Sequence, residues 1–220
     1  MAIKVVLAYS GGLDTSVAIP WLRETYDAEV ITLTADMGGR QGRSDVQERA
    51  LAAGAIKALT VDGKEDFVKH FVFPALQAGA IYQGQYSLAT ALGRPLIARY
   101  LLEVAHREGA QVVAHGCTGK GNDQVRFDLS IAGMDPSLRI IAPAREWNMT
   151  REEEIQYGQS RNVPLDIGYR NPYSVDENLW GRSIEAGNLE DPWQEPPEEA
   201  FAWTKPIEET PQTPLYLEVS

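Results

Sequence analysis

Ile3-Lys4-Val5-Val6-Leu7-Ala8-Tyr9-Ser10-Gly11-Gly12-Leu13-Asp14-Thr15-Ser16 passes from a short apolar run, through a glycine pair, into a helical pattern. Residues 3–9 predict a first strand. Leu13, Val17 and Trp21 then recur at four-residue spacing, with Ala18 and Leu22 beside them, which predicts a helix. Pro20 falls inside that helix and removes one backbone donor, so a kink is allowed there. A glycine turn between a strand and a helix aims backbone N–H groups and the helix N-terminus at an anion. Two adjacent glycines let the backbone approach a ligand without a Cβ in the way. Ser10, Thr15 and Ser16 add hydroxyl donors. The stretch lacks the Gly-Lys-Ser/Thr ending of the common NTPase loop and the Gly-x-Gly-x-x-Gly spacing of a dinucleotide fold. The plain alternative is a glycine turn with Asp14 or Thr15 capping the helix.

Outward from this stretch the chain keeps alternating. Residues 29–34 and 55–61 predict further strands, with a helix capped by Ser44 between them and another over Lys64–Phe73. Arg94–Arg107 predicts a long helix with Pro95 in its first turn. Gln111–Ala114 and Arg139–Ala142 predict two more strands. Thr150 and Glu153 form a capping-box pattern before a helix ending near Arg161. Strands alternating with helices predict an α/β fold, a parallel twisted sheet with helices on both faces. Ligands in such folds bind beyond the carboxyl ends of the strands. No internal repeat is visible.

The rhythm stops after about Asn162. Residues 191–214 contain Asp-Pro, Glu-Pro-Pro, Lys-Pro and two Thr-Pro steps, which predict a boundary or extended connection. Residues 1–165 are therefore read as one domain and 166–220 as the beginning of another. Leu215–Ser220 predicts the start of a strand, and a strand without later partners predicts an incomplete chain.

Composition narrows the partners. The 220 residues carry a net charge of −11, and residues 176–220 hold 11 acids against two bases. That acidic, proline-rich stretch reads as solvated and loop-rich. An acidic surface disfavours nucleic acid, because phosphate neutralisation needs clustered Lys and Arg. No apolar run is long enough to cross a membrane, and the N-terminus reads as a strand rather than a signal peptide. Cys117 is the single cysteine, so an internal disulfide and a paired-cysteine zinc site are excluded, and a cytoplasmic location is expected.

A second polar loop follows the strand at 111–114. It reads His115-Gly116-Cys117-Thr118-Gly119-Lys120-Gly121-Asn122-Asp123-Gln124-Val125-Arg126-Phe127. It should reach the same sheet edge as the first loop. Its glycines again permit close backbone approach, and Thr118, Asn122, Asp123 and Arg126 crowd polar groups into nine residues. The plain alternative is a polar surface loop. His115 and Cys117 read as structural, since neither has a visible base or nucleophile partner.

The first loop resembles the pyrophosphate loop of adenylate-forming ATP pyrophosphatases. With the 115–127 run, the chain resembles the argininosuccinate synthase family within that group. Gln85-Tyr86-Ser87-Leu88-Ala89-Thr90 with Arg94-Pro95, and Asn171-Pro172-Tyr173-Ser174-Val175-Asp176-Glu177-Asn178-Leu179-Trp180, carry the same resemblance. It implies an adenine-nucleotide-hydrolase-like, Rossmann-like domain followed by the start of an α+β synthetase domain. It also implies an AMP-forming ligase of arginine biosynthesis, related to the urea cycle. Such an enzyme joins citrulline to aspartate through a citrullyl-adenylate and releases pyrophosphate. ATP is then a substrate, Mg2+ its companion ion, and the full-length form a homotetramer.

The resemblance places Ala8, Tyr9, Ser10, Gly11, Gly12, Leu13, Asp14, Thr15, Ser16, Ala35 and Gly116 around ATP. Thr118, Asn122 and Asp123 resemble the aspartate-binding set, and an ionised Asp123 suits an ammonium group. Tyr86, Asn122, Arg126, Ser174 and Ser183 resemble the citrulline set, where Arg126 can grip a carboxylate with two donors. No catalytic residue or metal ligand is assigned. A family serine falls at Ala91 here, and the family's later glutamate, tyrosine and tetramer-forming helix lie beyond Ser220. The other readings are a nucleotide-binding module without full activity and, disfavoured by the charge and the lone cysteine, a tRNA-modifying pyrophosphate-loop enzyme.

Overall fold

A computed structural model of the chain describes residues 2–39, 45–165 and 173–219. It divides into two compact units, Met1–Gly168 with Glu177–Arg182, and Tyr169–Asp176 with Ser183–Ser220.

The first unit is built on a five-stranded sheet, β1 (Ile3–Ala8), β2 (Ala28–Asp36), β3 (Lys57–Asp62), β4 (Val112–Ala114) and β5 (Arg139–Ile141). The order is β3-β2-β1-β4-β5, and every neighbouring pair is parallel. Strand residues alternate between the two faces, and the core divides accordingly. Val6, Ile31, Leu33 and Val113 pack on one face with Leu96, Leu101, Phe127 and Ile131. Val5, Leu7, Val30 and Val112 pack on the other with Ala18, Ile19, Leu22 and Val46. Because both faces are covered, the central strands carry continuous buried apolar runs, Val5–Leu7 in β1 and Val112–Ala114 in β4, rather than an alternating pattern.

The helices that supply those partners are α1 (Leu13–Tyr26), α2 (Val46–Ala52), α5 (Ala89–Glu108) and α6 (Asp123–Met134). Between β3 and α5 the chain runs through α3 (Lys64–Phe67), a π turn at Val68–Val72 and α4 (Phe73–Gln77). Pro74 has no N–H to return to the residue four before it, and the helical register is reset in the π turn just ahead of it. After β5 come α7 (Pro143–Glu146) and α8 (Arg151–Ser160). α8 opens on the expected capping box: the Glu153 N–H donates to Thr150 Oγ1 at 3.3 Å, and the Thr150 N–H donates to Glu153 Oε2 at 2.7 Å.

Two local expectations change, and one falls outside the described residues. α5 begins at Ala89, not near Arg94, so Pro95 lies inside the helix rather than in its first turn. Leu88 takes a left-handed conformation (φ 61°) at the N-cap, and the Tyr86 hydroxyl accepts from the Thr90 N–H at 3.1 Å. A tyrosine thus supplies an acceptor for a helix-end N–H, a device that periodicity does not reveal. The expected cap at Ser44 lies outside the described residues, and α2 starts after Asp45. Leu215–Val219 forms no strand; Leu215, Leu217 and Val219 are exposed, and no described strand pairs with them.

Beyond the sheet, β6 (Ser174–Asn178) and β7 (Gly181–Glu185) form a two-stranded hairpin. Its two-residue link makes the pair antiparallel. Its tip belongs to the first unit. Asn178 Nδ2 donates to the Ala89 carbonyl at 2.8 Å, and the Trp180 indole donates to the Ser87 carbonyl at 2.7 Å. Residues 186–219 of the second unit contain short 3-10 turns and no strand.

Candidate functional site

The sheet order creates a switch point. From β1 the chain moves outward through β2 to β3, then returns to β4 on the other side of β1. The loops after β1 and β4 therefore leave adjacent strands in opposite directions, which is where ligands bind in open α/β sheets. These are the two loops singled out in the sequence.

Gly11 adopts φ 80°, a left-handed conformation that favours glycine, and Gly12 is the extended N-cap of α1. The hydroxyls brace the turn. Ser10 Oγ and Thr15 Oγ1 are 3.1 Å apart, Thr15 Oγ1 donates to the Gly12 carbonyl at 3.3 Å, and the Gly12 N–H donates to Ser10 Oγ at 3.2 Å. Below them Tyr9 is buried with its hydroxyl 3.1 Å from Ser16 Oγ, and burial pushes the Tyr9 phenol up. Thr34 of β2 donates to the Tyr9 carbonyl at 2.8 Å, tying the loop to the neighbouring strand. Ala8 ends β1, and Ala35 lies one residue from the end of β2.

Gly116 brings the second loop against the first. A Cβ on it would lie 2.7 Å from Thr15 Cγ2, closer than side-chain atoms pack. His115 is fully buried and holds the base of this loop. Its Nδ1 accepts from the Cys117 N–H at 3.2 Å, so Nε2 carries the proton and donates to Asp128 Oδ1 at 2.9 Å. Burial pushes the His115 pKa down despite the nearby carboxylate, so the ring is neutral. Asp128 also accepts from Arg145 at 2.8 Å; these hydrogen bonds outweigh burial and hold its carboxyl below the usual range. The structural reading of His115 therefore fits its surroundings.

At the start of α6, Asp123 joins two arginines. Arg94 of α5 donates to its Oδ2 at 2.9 Å through Nε and approaches at 2.8 Å through Nη2, and Arg126 donates to Oδ1 at 2.7 Å. A carboxylate offers about four lone-pair positions, so Asp123 can accept a further donor. Asn122 caps α6 and is exposed, as is Thr118, whose Oγ1 lies 3.3 Å from the Lys120 carbonyl. Tyr86 stands before α5 in a short bridge with Tyr82. Ala91 lies in the first turn of α5. Thus Asp14, Thr15, Gly116, Asn122, Asp123 and Arg126 come from the two loops and the helices they open. Ser174 and Ser183 lie on β6 and β7, in the second unit.

Four residues of this region escaped the sequence reading as site candidates. Arg94 stood in a quoted segment, but its link to Asp123 depends on how α5 packs on α6. Arg49 of α2 overlies the first loop: a Cβ on Gly11 would lie 2.7 Å from its Nη2. Arg151 lines a small cavity with Gly11, Gly12, Leu13, Ser16 and Leu165. Glu154 is 8% exposed and faces Asp14. Burial, then the Asp14 carboxylate, raise its pKa to about 8. It lies in a run of three glutamates that reads as a solvated face. The available signal was Gly158 one turn later, which marks a closely packed stripe. The larger hollow lined by Pro20, Arg23, Asp27 and Glu29 lies at the opposite, amino-terminal edge of the strands, away from both loops. Among the described residues no helix is long and apolar enough to cross a membrane.

Comparison with known proteins gives consistent results. The family model described as arginosuccinate synthase N-terminal HUP domain matches residues 4–164, and that of the arginosuccinate synthase C-terminal domain matches 173–220. The argininosuccinate synthase of Dehalococcoides mccartyi is 55% identical over 219 residues, covering 100% of this chain and 54% of the relative. That of Dictyoglomus turgidum is 56% identical over 217 residues, covering 99% and 54%. That of Gloeobacter violaceus is 56% identical over 219 residues, covering 99% and 55%. The chain spans about half the length of the curated relatives it matches.

Proposed function

The chain belongs to the argininosuccinate synthase family, and from that premise we propose that it forms the ATP-binding part of a citrulline–aspartate ligase. The observation that supports this most directly is the meeting of the two glycine loops at the switch point, with Gly116 against Thr15. Residues 1–165 would receive the nucleotide, and 166–220 would open the substrate-binding and oligomerisation domain of a larger, homotetrameric assembly in the cytoplasm.

In this reading the ureido oxygen of citrulline attacks the α-phosphorus of ATP. The bond to the bridging oxygen breaks, and pyrophosphate leaves with its electron pair. The aspartate amine then attacks the ureido carbon, loses a proton, and AMP departs. The first loop binds the departing phosphates. Its N–H groups, the N-terminus of α1 and the Ser10, Thr15 and Ser16 hydroxyls face charge that grows as the bond breaks, and preorganised donors of this kind stabilise it. Ala8, Tyr9, Ala35 and Gly116 border the nucleotide, and Leu13 and Asp14 complete the loop. Thr118, Asn122 and Asp123 would bind aspartate; Tyr86, Asn122, Arg126, Ser174 and Ser183 would bind citrulline.

Holding both amino acids beside the α-phosphate supplies much of the acceleration, because orientation alone is worth several kcal/mol. Magnesium suits the site as a counter-ion on the phosphates, since it keeps several waters and takes few protein ligands.

The full-length protein should release pyrophosphate only when ATP, citrulline and aspartate are all present; release that ignores citrulline would sink the ligase reading. Calorimetry on the 220-residue chain asks a narrower question. ATP binding that citrulline strengthens supports a shared site within this chain. ATP binding indifferent to citrulline favours a nucleotide-binding module.

A further inference from the structure

The chemistry above leaves Glu154 without a role, yet its setting is unfavourable for an ordinary glutamate. Glu152 and Glu153 of the same run are exposed, whereas Glu154 is buried. Its Oε2 is out of water and has no hydrogen-bond donor. A lone ionised carboxylate in such a place is strongly disfavoured. The group facing it from α1 is a second carboxyl, Asp14 of the phosphate loop. Trp147 reaches it from the segment after α7, and Arg151 is the cation on its own helix. A buried carboxyl that faces another carboxyl keeps its proton, and the protonated oxygen can donate to that neighbour.

The pair is held in place from both sides. The capping box fixes the first turn of α8, where Glu154 sits. Gly158, one turn on, lets α8 lie close to α1: a Cβ there would come within 3.3 Å of Val17 and 2.8 Å of Leu165. Arg151, beside Glu154, lines the cavity at Gly11 and Gly12.

We propose that Glu154 is a positioning residue for the phosphate loop: it stays protonated and donates to Asp14, fixing that side chain and keeping one negative charge away from an approaching polyphosphate. This rests on the reading that the loop receives ATP phosphates. Losing the Glu154 proton adds one negative charge beside the loop. An anion binds better while Glu154 is neutral. Binding therefore draws in a proton wherever Glu154 has begun to lose it.

The test is calorimetric titration of magnesium-ATP into the wild-type chain and into Glu154→Gln, from pH 7 to 9.5, in two buffers of different ionisation enthalpy. Phosphate groups complete their second ionisation near about pH 6, so the charge of the ligand is constant over this range. Cys117 and Tyr9 are common to both proteins, so the difference between them isolates Glu154.

The wild-type affinity should fall progressively above neutral pH, approaching about tenfold per pH unit, with proton uptake on binding. Glu154→Gln keeps a donor for Asp14 but has no proton to lose. It should bind like the wild type at pH 7, show a flat profile and take up no proton. An unchanged slope and unchanged uptake in Glu154→Gln would overturn the proposal. Should that variant fail to fold, absence of proton uptake by the wild type between pH 7.5 and 9 overturns it equally. Failure of the wild type to bind ATP at any pH would instead overturn the reading of the loop.

Discussion

Gly116 stands where the two loops leave no room for a side chain. The methyl of Gly116→Ala would meet Thr15 Cγ2 at 2.7 Å, and Thr15 cannot simply rotate away. Its hydroxyl is tied to Ser10 and to the Gly12 carbonyl. The loops must part, so ATP affinity should drop by roughly tenfold or more, given that small misplacements at a site weaken it strongly. Thermal unfolding should shift little by comparison; a variant that binds ATP normally would show that the contact is incidental.

His115 gives a residue-scale prediction of another kind. Its folded pKa lies below the ordinary value because it is buried. Between that pKa and about 6.5 the unfolded chain binds the extra proton and the native chain does not, so stability is lost as pH falls through this window. Glu154 works oppositely. Its raised pKa lets the native state hold a proton that the unfolded chain has lost, so its contribution fades as pH rises toward about 8. The comparison must therefore be with His115→Gln. Urea unfolding at pH 5 and 7 should show a smaller loss on acidification in that variant. Equal losses would mean that His115 is not held neutral. The contrast between these residues explains what the sequence could reveal. Glycines and hydroxyls after a strand announce a site because their use lies in the local backbone. Glu154 looked like its exposed neighbours because its burial is decided by how α8 packs on α1, where Gly158 meets Val17, about 140 positions away.

Elements were legible to the extent that their ends are encoded locally. The Thr150–Glu153 box could be read directly, and α8 starts where it predicts. α5 could not, because its first turn depends on Tyr86, Asn178 and Trp180 from other segments. The cap on α8 matters beyond the helix itself, since it also seats Glu154 beside Asp14. Thr150→Ala should destabilise the protein by about 1 kcal/mol, the usual effect of losing such a cap. Chemical denaturation measures this. If the loss appears without any change in ATP affinity, the first turn of α8 is not what positions the loop.

At the scale of the molecule, the sheet order was the step the sequence left open. Alternating strands and helices predict a parallel sheet, but they do not say that the chain turns back after β3 to place β4 beside β1. That return is what sets the two loops side by side and gives the first unit two separate apolar layers. Every residue of those layers lies between Ile3 and Trp180. Residues beyond the hairpin contribute none of them, and several large apolar side chains there are exposed, Trp193 at 94% and Tyr216 at 92%. The first unit should therefore keep its stability when the chain is cut after Glu185. Its thermal midpoint should move by no more than a few degrees, the shift expected from about 1 kcal/mol in a domain of this size. Its unfolding should remain a single cooperative step. A truncated chain that melts broadly, or that no longer binds ATP, would show that residues 186–220 stabilise the nucleotide unit in a way its own packed layers do not provide.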